Sequence, residues 1–229
     1  MEILIESLPR FIGATWLTLQ ITALSVFIGF CMALPLSVLR VSRSPLLSWP
    51  VYAFTFYFRG TPLLVQIFLI YYGSGQFVAQ LEAVGLWYFF QNPWFCAVLA
   101  LTLNTAAYST EIFRGGIQGV PFGEIEAARA CGMSGALLYR RIILPRALRV
   151  VWPAYTNEVI FLLQASSLVS IITVMDITGV AGEIATRSFA FYEVYLFAAA
   201  LYIVIVYGVL WVFRRIESRL NTHLQAEAL

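Results

Sequence analysis

The 229-residue sequence contains no lysine, because all 14 of its basic residues are arginine. A Walker A loop requires a Gly-Lys-Ser/Thr sequence, and Schiff-base catalysis requires a lysine amine. The absence of lysine therefore excludes both kinds of site. If ATP drives this protein, another chain must bind the nucleotide.

Histidine, cysteine and aspartate are also scarce. The three cysteines, Cys31, Cys96 and Cys131, show no CxxC spacing, and their odd number argues against a disulfide framework. The single histidine, His223, lies in the polar C-terminal tail, and the single aspartate, Asp176, is expected outside the core. With so few ligands and no GxSxG sequence, we expect no metal, no cofactor and no catalytic residues.

Hydrophobic residues make up 61% of the chain and charged residues only 11%. A soluble domain is about 45–50% apolar and about 25% charged. Too little polar surface remains to cover a water-soluble globule, which excludes an ordinary soluble enzyme. The sequence predicts a membrane protein.

Five apolar runs approach the roughly 20 residues that a membrane-spanning helix needs. Gly60-Thr61-Pro62 interrupts the second run, and since proline disfavours helix in the residue before it, we expect a kink or short break there. The amphipathic stretch 174–189 is too short and charged to span, and we expect an external interfacial helix or connection. The chain is predicted to be one domain, 1–229, with spans at about 12–39, 51–73, 94–114, 150–172 and 191–213.

Arginine placement predicts the orientation through the positive-inside rule. Eleven of the 14 arginines fall in the first loop, in segment 114–149 and in the C-terminal tail, all on one side of the predicted spans. Only Arg10 and Arg187 fall on the other side, and Arg59 lies within the second run. We therefore expect the N-terminus outside and the C-terminus in the cytoplasm.

The long loop 115–149 has the pattern of a short helix, a tight turn and a second helix. Gly132 suits a left-handed helix end, Ser134 suits the N-cap of the second helix, and Pro145 is expected to end that helix. Such an elbow would transmit force from a partner protein into the spans. On these residues alone, a solvated connection is about equally well supported.

This loop resembles the EAA loop of ABC-importer permeases. The matching residues are Glu126-Ala127-Ala128, then Gly132 after three residues, and Ile142-x-Leu144-Pro145 after nine more. Further stretches resemble the polar amino acid permeases, and most closely the M-type subunits of histidine/lysine/arginine/ornithine, arginine and opine importers. These stretches are 58–66, 103–113 and 155–159, and the resemblance covers about residues 10–217.

The resemblance implies an all-α polytopic membrane protein with the type I ABC importer transmembrane fold, in the bacterial cytoplasmic (inner) membrane. It implies two ATPase subunits that bind ATP, a homologous Q-type permease subunit as heterodimer partner, and an external amino-acid-binding protein, with no nucleic acid. This subunit itself is then no enzyme. The implied ATPase-coupling residues are Glu126, Ala127, Ala128 and Gly132, with Arg129 at the rim.

Polar residues inside the predicted spans are candidates for a substrate pathway, because such residues are costly in a membrane. A carboxylate at Glu158 suits a cationic amino acid, unless Arg59 neutralises it across the cavity. Interhelical hydrogen bonding is the alternative for the whole set, and for Glu111 we favour local pairing with Arg114 at i+3. The candidates are Asn104, Glu158, Asn157, Tyr108, Gln66, Thr61, Gln164 and Ser167.

One departure from the related permeases affects the substrate. Many of them carry a lysine where this chain has Gln164, in the run Gln164-Ala165-Ser166-Ser167-Leu168. The absence of this lysine weakens assignment to the family members that transport acidic or neutral amino acids. Glutamine or glutamate remains the alternative substrate. A stand-alone secondary transporter and a structural membrane subunit remain alternative functions.

Overall fold

The computed structural model describes residues 2–220, and within that range the chain is helical and contains no strand. His223 and the rest of the tail lie outside the described residues. The all-α prediction is confirmed. The helices are α1 Glu2–Val41, α2 Pro45–Gly60, α3 Leu63–Tyr71, α4 Val78–Ala83, α5 Trp87–Phe90, α6 Pro93–Gln118, α7 Phe122–Ala130, α8 Gly135–Leu138, α9 Leu144–Ala165, α10 Ile177–Ser188 and α11 Phe191–Leu220.

Within residues 2–220, three helical segments are long and apolar enough to cross a membrane: Leu4–Val41, Gly135–Ile172 and Phe191–Leu220. The pair Pro45–Gly60 and Leu63–Ala83 makes a fourth if it is counted as one bent span. The predicted third span, 94–114, lies within α6, which is helical over 26 residues but is not among these apolar segments. α6 is instead an internal helix, packed by α1, α2, α3 and α9, and Thr102, Thr105, Ser109 and Thr110 are among its buried polar residues.

The predicted break in the second span is confirmed. α2 ends at Gly60, Thr61 is extended with φ −115° and ψ 144°, and α3 begins directly after Pro62. The chain bends by 105° between Pro45–Gly60 and Leu63–Ala83. Pro62 forces this geometry because its ring clashes with a helical conformation in the preceding residue.

The stretch 174–189 contains the expected helix, α10, but Asp176 is fully buried rather than outside the core. The carboxylate caps α10 by accepting from the Gly179 N–H at 2.8 Å, and it also accepts from the Tyr202 hydroxyl at 3.0 Å. Burial raises the pKa of the Asp176 carboxyl, and these two hydrogen bonds offset part of that rise. A helix N-terminus is one of the few interior positions that accommodate a carboxylate.

The expectation that Pro145 ends the second loop helix is wrong. α8 continues through a π-helical turn, Tyr139–Ile143, directly into α9, and Pro145 occupies the first turn of α9. The Leu144 N–H donates to the Tyr139 carbonyl, five residues back, which is the hydrogen bond of a π-helical turn. The helix therefore continues although Pro145 has no N–H to donate. Ser134 has the extended backbone of an N-cap, as expected, although its side chain makes no capping hydrogen bond.

Candidate functional site

A groove of about 290 Å³, lined by both polar and apolar side chains, lies between the α2–α3 break, α6 and α9. Four of the eight predicted pathway residues line it, namely Thr61, Asn104, Tyr108 and Glu158. We call it the break groove. Its walls come from three sequence segments that only the broken helix brings together, since an unbroken α2–α3 would not turn past α6.

Gln66 stands behind the break groove rather than in it. Its side chain is 2% exposed and its amide donates to the Phe58 carbonyl at 2.8 Å and to the Thr61 hydroxyl at 2.9 Å. Asn104 donates to the Gln66 amide oxygen at 3.0 Å. The Gln66 amide also donates to the Thr61 carbonyl at 3.0 Å, so it satisfies two backbone carbonyls at the helix break, those of Phe58 and Thr61. Gln66 thus matches the interhelical alternative, and Asn104 both supports and lines the groove.

Glu158 is the acidic side chain of the break groove, half-buried on α9. No ion pair to it is found among the described residues. Arg59 approaches Glu111 instead, with 4.0 Å between Nη1 and Oε2, and its guanidinium lies 5.4 Å from the centre of the Tyr108 ring. The alternative in which Arg59 neutralises Glu158 through a direct pair is therefore not found in the structure.

Glu111 is the centre of a charged cluster below the groove. The predicted local pair with Arg114 is confirmed, at 2.6 Å. Sequence reasoning missed the partner from α1, Arg40, whose Nε lies 3.3 Å from the carboxylate, as well as the more distant Arg59 of α2. With its side chain only 12% exposed, Glu111 thus ties α1, α2 and α6 together.

The remaining pathway candidates, Asn157, Gln164 and Ser167, are not brought to the break groove. Asn157 and Gln164 are exposed on α9 and do not line the groove, although Phe161, which lies between them in the chain, does. Ser167 donates to the Gln164 carbonyl at 2.8 Å. Their position suits a contact with another chain better than a place in this groove.

The resemblance-implied coupling residues lie on or beside α7. Glu126, Ala127, Arg129 and Gly132 are exposed, and we call these four residues the coupling surface. Ala128 differs, because it is buried at 6% exposure and belongs to the cluster that contains Ile117, Ile143 and Ala147. Its small side chain therefore lets α7 sit close to the rest of this chain.

The turn after α7 has the expected left-handed glycine. Gly132 has φ +81°, its N–H bonds to the Arg129 carbonyl at 2.9 Å, and the Met133 N–H bonds to the Ala128 carbonyl at 3.0 Å. This pair of bonds is the Schellman motif of a helix C-terminus. An ion pair of 3.3 Å between Glu124 and Arg146 also fastens α7 to α9. The loop is thus an ordered elbow rather than a loose connection.

This helical membrane chain has a groove with polar side chains at a broken helix, and an ordered helix on its arginine-rich side. These features are typical of a transporter component. Residues 25–222 match the family described as binding-protein-dependent transport system inner membrane component. The chain belongs to this family of ABC-importer permeases.

The sequence is similar to those of known permeases over nearly its whole length. It is 46% identical to the nopaline transport system permease protein NocM of Agrobacterium fabrum, over 99% of this chain and 94% of that one. It is 44% identical to the histidine/lysine/arginine/ornithine transport system permease protein HisM of Escherichia coli K12, over 94% and 90%. Both relatives are permease subunits of transport systems.

Solved structures agree on the fold. A crystal structure of an amino acid ABC transporter with histidines superposes with a TM-score of 0.82 at 34% identity, covering 94% of this chain and 96% of the other. The inward-facing MetNI methionine ABC transporter gives a TM-score of 0.78 at 24% identity, covering 94% and 98%, and supports the fold alone. The predicted type I importer transmembrane fold is confirmed.

Proposed function

We propose that this chain is the permease subunit of an ATP-driven importer of basic amino acids or opines, acting with two ATPase subunits and an external binding protein. The observation that carries the proposal is the exposed coupling surface, fixed in orientation by the Gly132 turn. ATP would bind only to the partner subunits, in keeping with the absence of lysine from this chain. Membrane location is common to the family, and the arginine distribution supports a cytoplasmic C-terminus.

In the proposed mechanism, each ATPase subunit receives one coupling helix in a groove. ATP-driven closure of the ATPases pulls the coupling helices together and opens the break groove toward the binding protein. A second, homologous permease completes the cavity, and the exposed Asn157 and Gln164, beside the groove-lining Phe161, support a heterodimer contact at the groove mouth. The relatives named above come from nopaline and from histidine/lysine/arginine/ornithine systems, which favours a cationic substrate near Glu158 over glutamine or glutamate.

Labelling of Cys131 tests the docking. Cys131 is exposed beside Gly132, Cys96 is buried, and Cys31 lies within α1. With Cys31 and Cys96 replaced, a membrane-impermeant maleimide applied to inside-out vesicles should label Cys131 when the permeases are made without ATPase subunits. Co-expression of the ATPase should protect Cys131, because the docked subunit covers the turn.

The control carries Gln80→Cys, on exposed α4, in a Cys131→Ser background. This cysteine should react with the maleimide only from the opposite side of the membrane. Its labelling should be the same with and without ATPase subunits. Equal labelling of Cys131 with and without ATPase subunits would overturn the docking surface. Uptake by this chain alone in liposomes would instead establish the stand-alone transporter.

A second prediction concerns the substrate. In the reconstituted transporter, Glu158→Gln should reduce arginine-stimulated ATP hydrolysis about tenfold or more, because it removes the carboxylate that would hold the cationic group through charge-assisted hydrogen bonds. Glu193→Gln makes the same charge change at an exposed position on α11 and should leave stimulation unchanged. Unchanged stimulation in Glu158→Gln would remove Glu158 from the substrate site.

A further inference from the structure

A second groove, of about 380 Å³, runs between α1, α9 and α11, away from the break groove. Its walls are carbon-rich, with Phe27, Tyr155, Val159 and Val209 among them, and Phe27 is 67% exposed at its rim. All three helices belong to the segments long and apolar enough to cross a membrane. An apolar groove in this position fits a hydrocarbon chain better than water or a polar solute.

The groove has the length of one lipid leaflet. Its lining extends from Leu19 to Phe30 on α1 and from Trp152 to Leu163 on α9. At a rise of about 1.5 Å per residue, each wall is about 17 Å long. Half of a hydrocarbon core that is about 30 Å thick is about 15 Å, so the groove matches a single extended acyl chain and not a lipid that crosses the midplane.

Only one end of the groove carries positive charge. The end is marked by Trp152, whose indole N–H donates to the Phe213 carbonyl at 3.2 Å while the two rings stack at 5.5 Å. Arg149 precedes Trp152 by one helical turn and Arg214 follows Phe213 directly. Since α9 and α11 are antiparallel at this contact, both arginines lie beyond the same end. At the opposite end, no arginine lies within two turns of Leu19 on α1 or of Leu163 along the chain.

These two guanidinium groups are available for a ligand. Arg149 is half-buried, Arg214 is exposed, and no ion pair to either is found among the described residues. They also belong to the arginine-rich side that the positive-inside rule assigns to the cytoplasm. Arginine pairs near the cytoplasmic ends of membrane helices suit anionic lipid head groups.

We propose that this groove binds one acyl chain of an anionic phospholipid from the cytoplasmic leaflet, with the phosphate head group held by Arg149 and Arg214. The lipid would seal the joint between α1, α9 and α11. Because α9 carries Glu158, an occupied groove would also brace the helix that forms one wall of the break groove.

Native mass spectrometry of the complete transporter, delipidated and then given phosphatidylglycerol or phosphatidylcholine, tests the proposal. The wild type should retain phosphatidylglycerol preferentially. Arg149→Gln/Arg214→Gln should lower that preference by roughly ten- to thirty-fold. Ala23→Trp should reduce retention of both lipids, because Ala23 lines the groove and a tryptophan would fill it while leaving the arginines in place.

The matched control is Arg140→Gln/Arg141→Gln, which removes two exposed arginines from the same region of the chain but away from the groove. It should retain the wild-type preference. Equal retention of the two lipids by the wild type would overturn the head-group site, and full retention by Ala23→Trp would overturn the acyl-chain site. A photo-crosslinker attached through its maleimide to the thiol of Phe27→Cys that then couples this chain to the partner permease would mean that protein covers the groove, and would also overturn the proposal.

Discussion

Replacing Gly132 by valine should abolish substrate-stimulated ATP hydrolysis in the assembled transporter while the chain still inserts in the membrane. Gly132 has φ +81°, a conformation that a β-branched residue strongly disfavours. A Cβ at this position would meet no atom within 4 Å, so the cost is conformational and not a clash. That cost is about 1–2 kcal/mol, which is enough to shift a short turn but not enough to unfold the long helices.

The coupling surface depends on this turn, because α7 is only nine residues long and ends there. A shifted turn loses its two Schellman bonds and presents Glu126 and Ala127 at a new angle to the ATPase. The measurement is ATP hydrolysis with and without loaded binding protein, together with the amount of the variant in the membrane.

Gly85 supplies the control for backbone strain. It has φ +72°, open space around its Cβ position, and a location between α4 and α5, far along the chain from the coupling surface. Gly85→Val should carry a similar conformational cost and leave stimulated hydrolysis near the wild-type rate. Wild-type stimulation in the Gly132→Val transporter would refute the coupling role of the turn.

The second large effect is expected at Glu111. Glu111→Gln removes the negative charge on which Arg40, Arg59 and Arg114 converge. It leaves the partly buried Arg40 and Arg114, with side chains 22% and 29% exposed, without their compensating charge. Breaking a buried ion pair from one side costs about 3–5 kcal/mol. We therefore expect a large fall in the thermal unfolding midpoint of the purified transporter, whatever its substrate.

Glu183 offers a matched comparison, since it also pairs with two arginines, Arg10 and Arg187. Those arginine side chains are 43% and 75% exposed, so solvent screens the pairs and their loss costs about 0–1 kcal/mol. Glu183→Gln should barely move the unfolding midpoint. Equal shifts in the two variants would contradict the structural role assigned to the Glu111 cluster.

Features governed by neighbouring residues were predictable from the sequence. The break before Pro62, the left-handed Gly132 and the Glu111–Arg114 pair each depend on residues within one turn of each other. The apolar runs indicated a membrane protein, and the resemblance around Glu126 indicated the family and its type I importer fold. In the candidate groove, Thr61, Asn104, Tyr108 and Glu158 were all named from the sequence.

Features set by distant contacts were not predictable. The approach of Arg40 to Glu111 joins residues 71 positions apart, and the burial of Asp176 depends on Tyr202, 26 positions away. Ala128 shares its motif with exposed neighbours, and only the packing of α7 turns it inward. Pro145 carries the local signal of a helix end, but the π-helical turn before it supplies an alternative bonding pattern that sequence rules do not anticipate.

The unbroken passage through Pro145 has a mechanical consequence. Residues Gly135 to Glu158 belong to one continuous helical rod, about 35 Å long at about 1.5 Å per residue. Pro153 lies inside this rod and removes one backbone hydrogen bond, but the helix continues through it, so a displacement at one end has a continuous helical path to the other. The elbow at Gly132 and the carboxylate of the break groove are thus connected by one helical segment, and the π-helical turn keeps that segment continuous where Pro145 would otherwise end it.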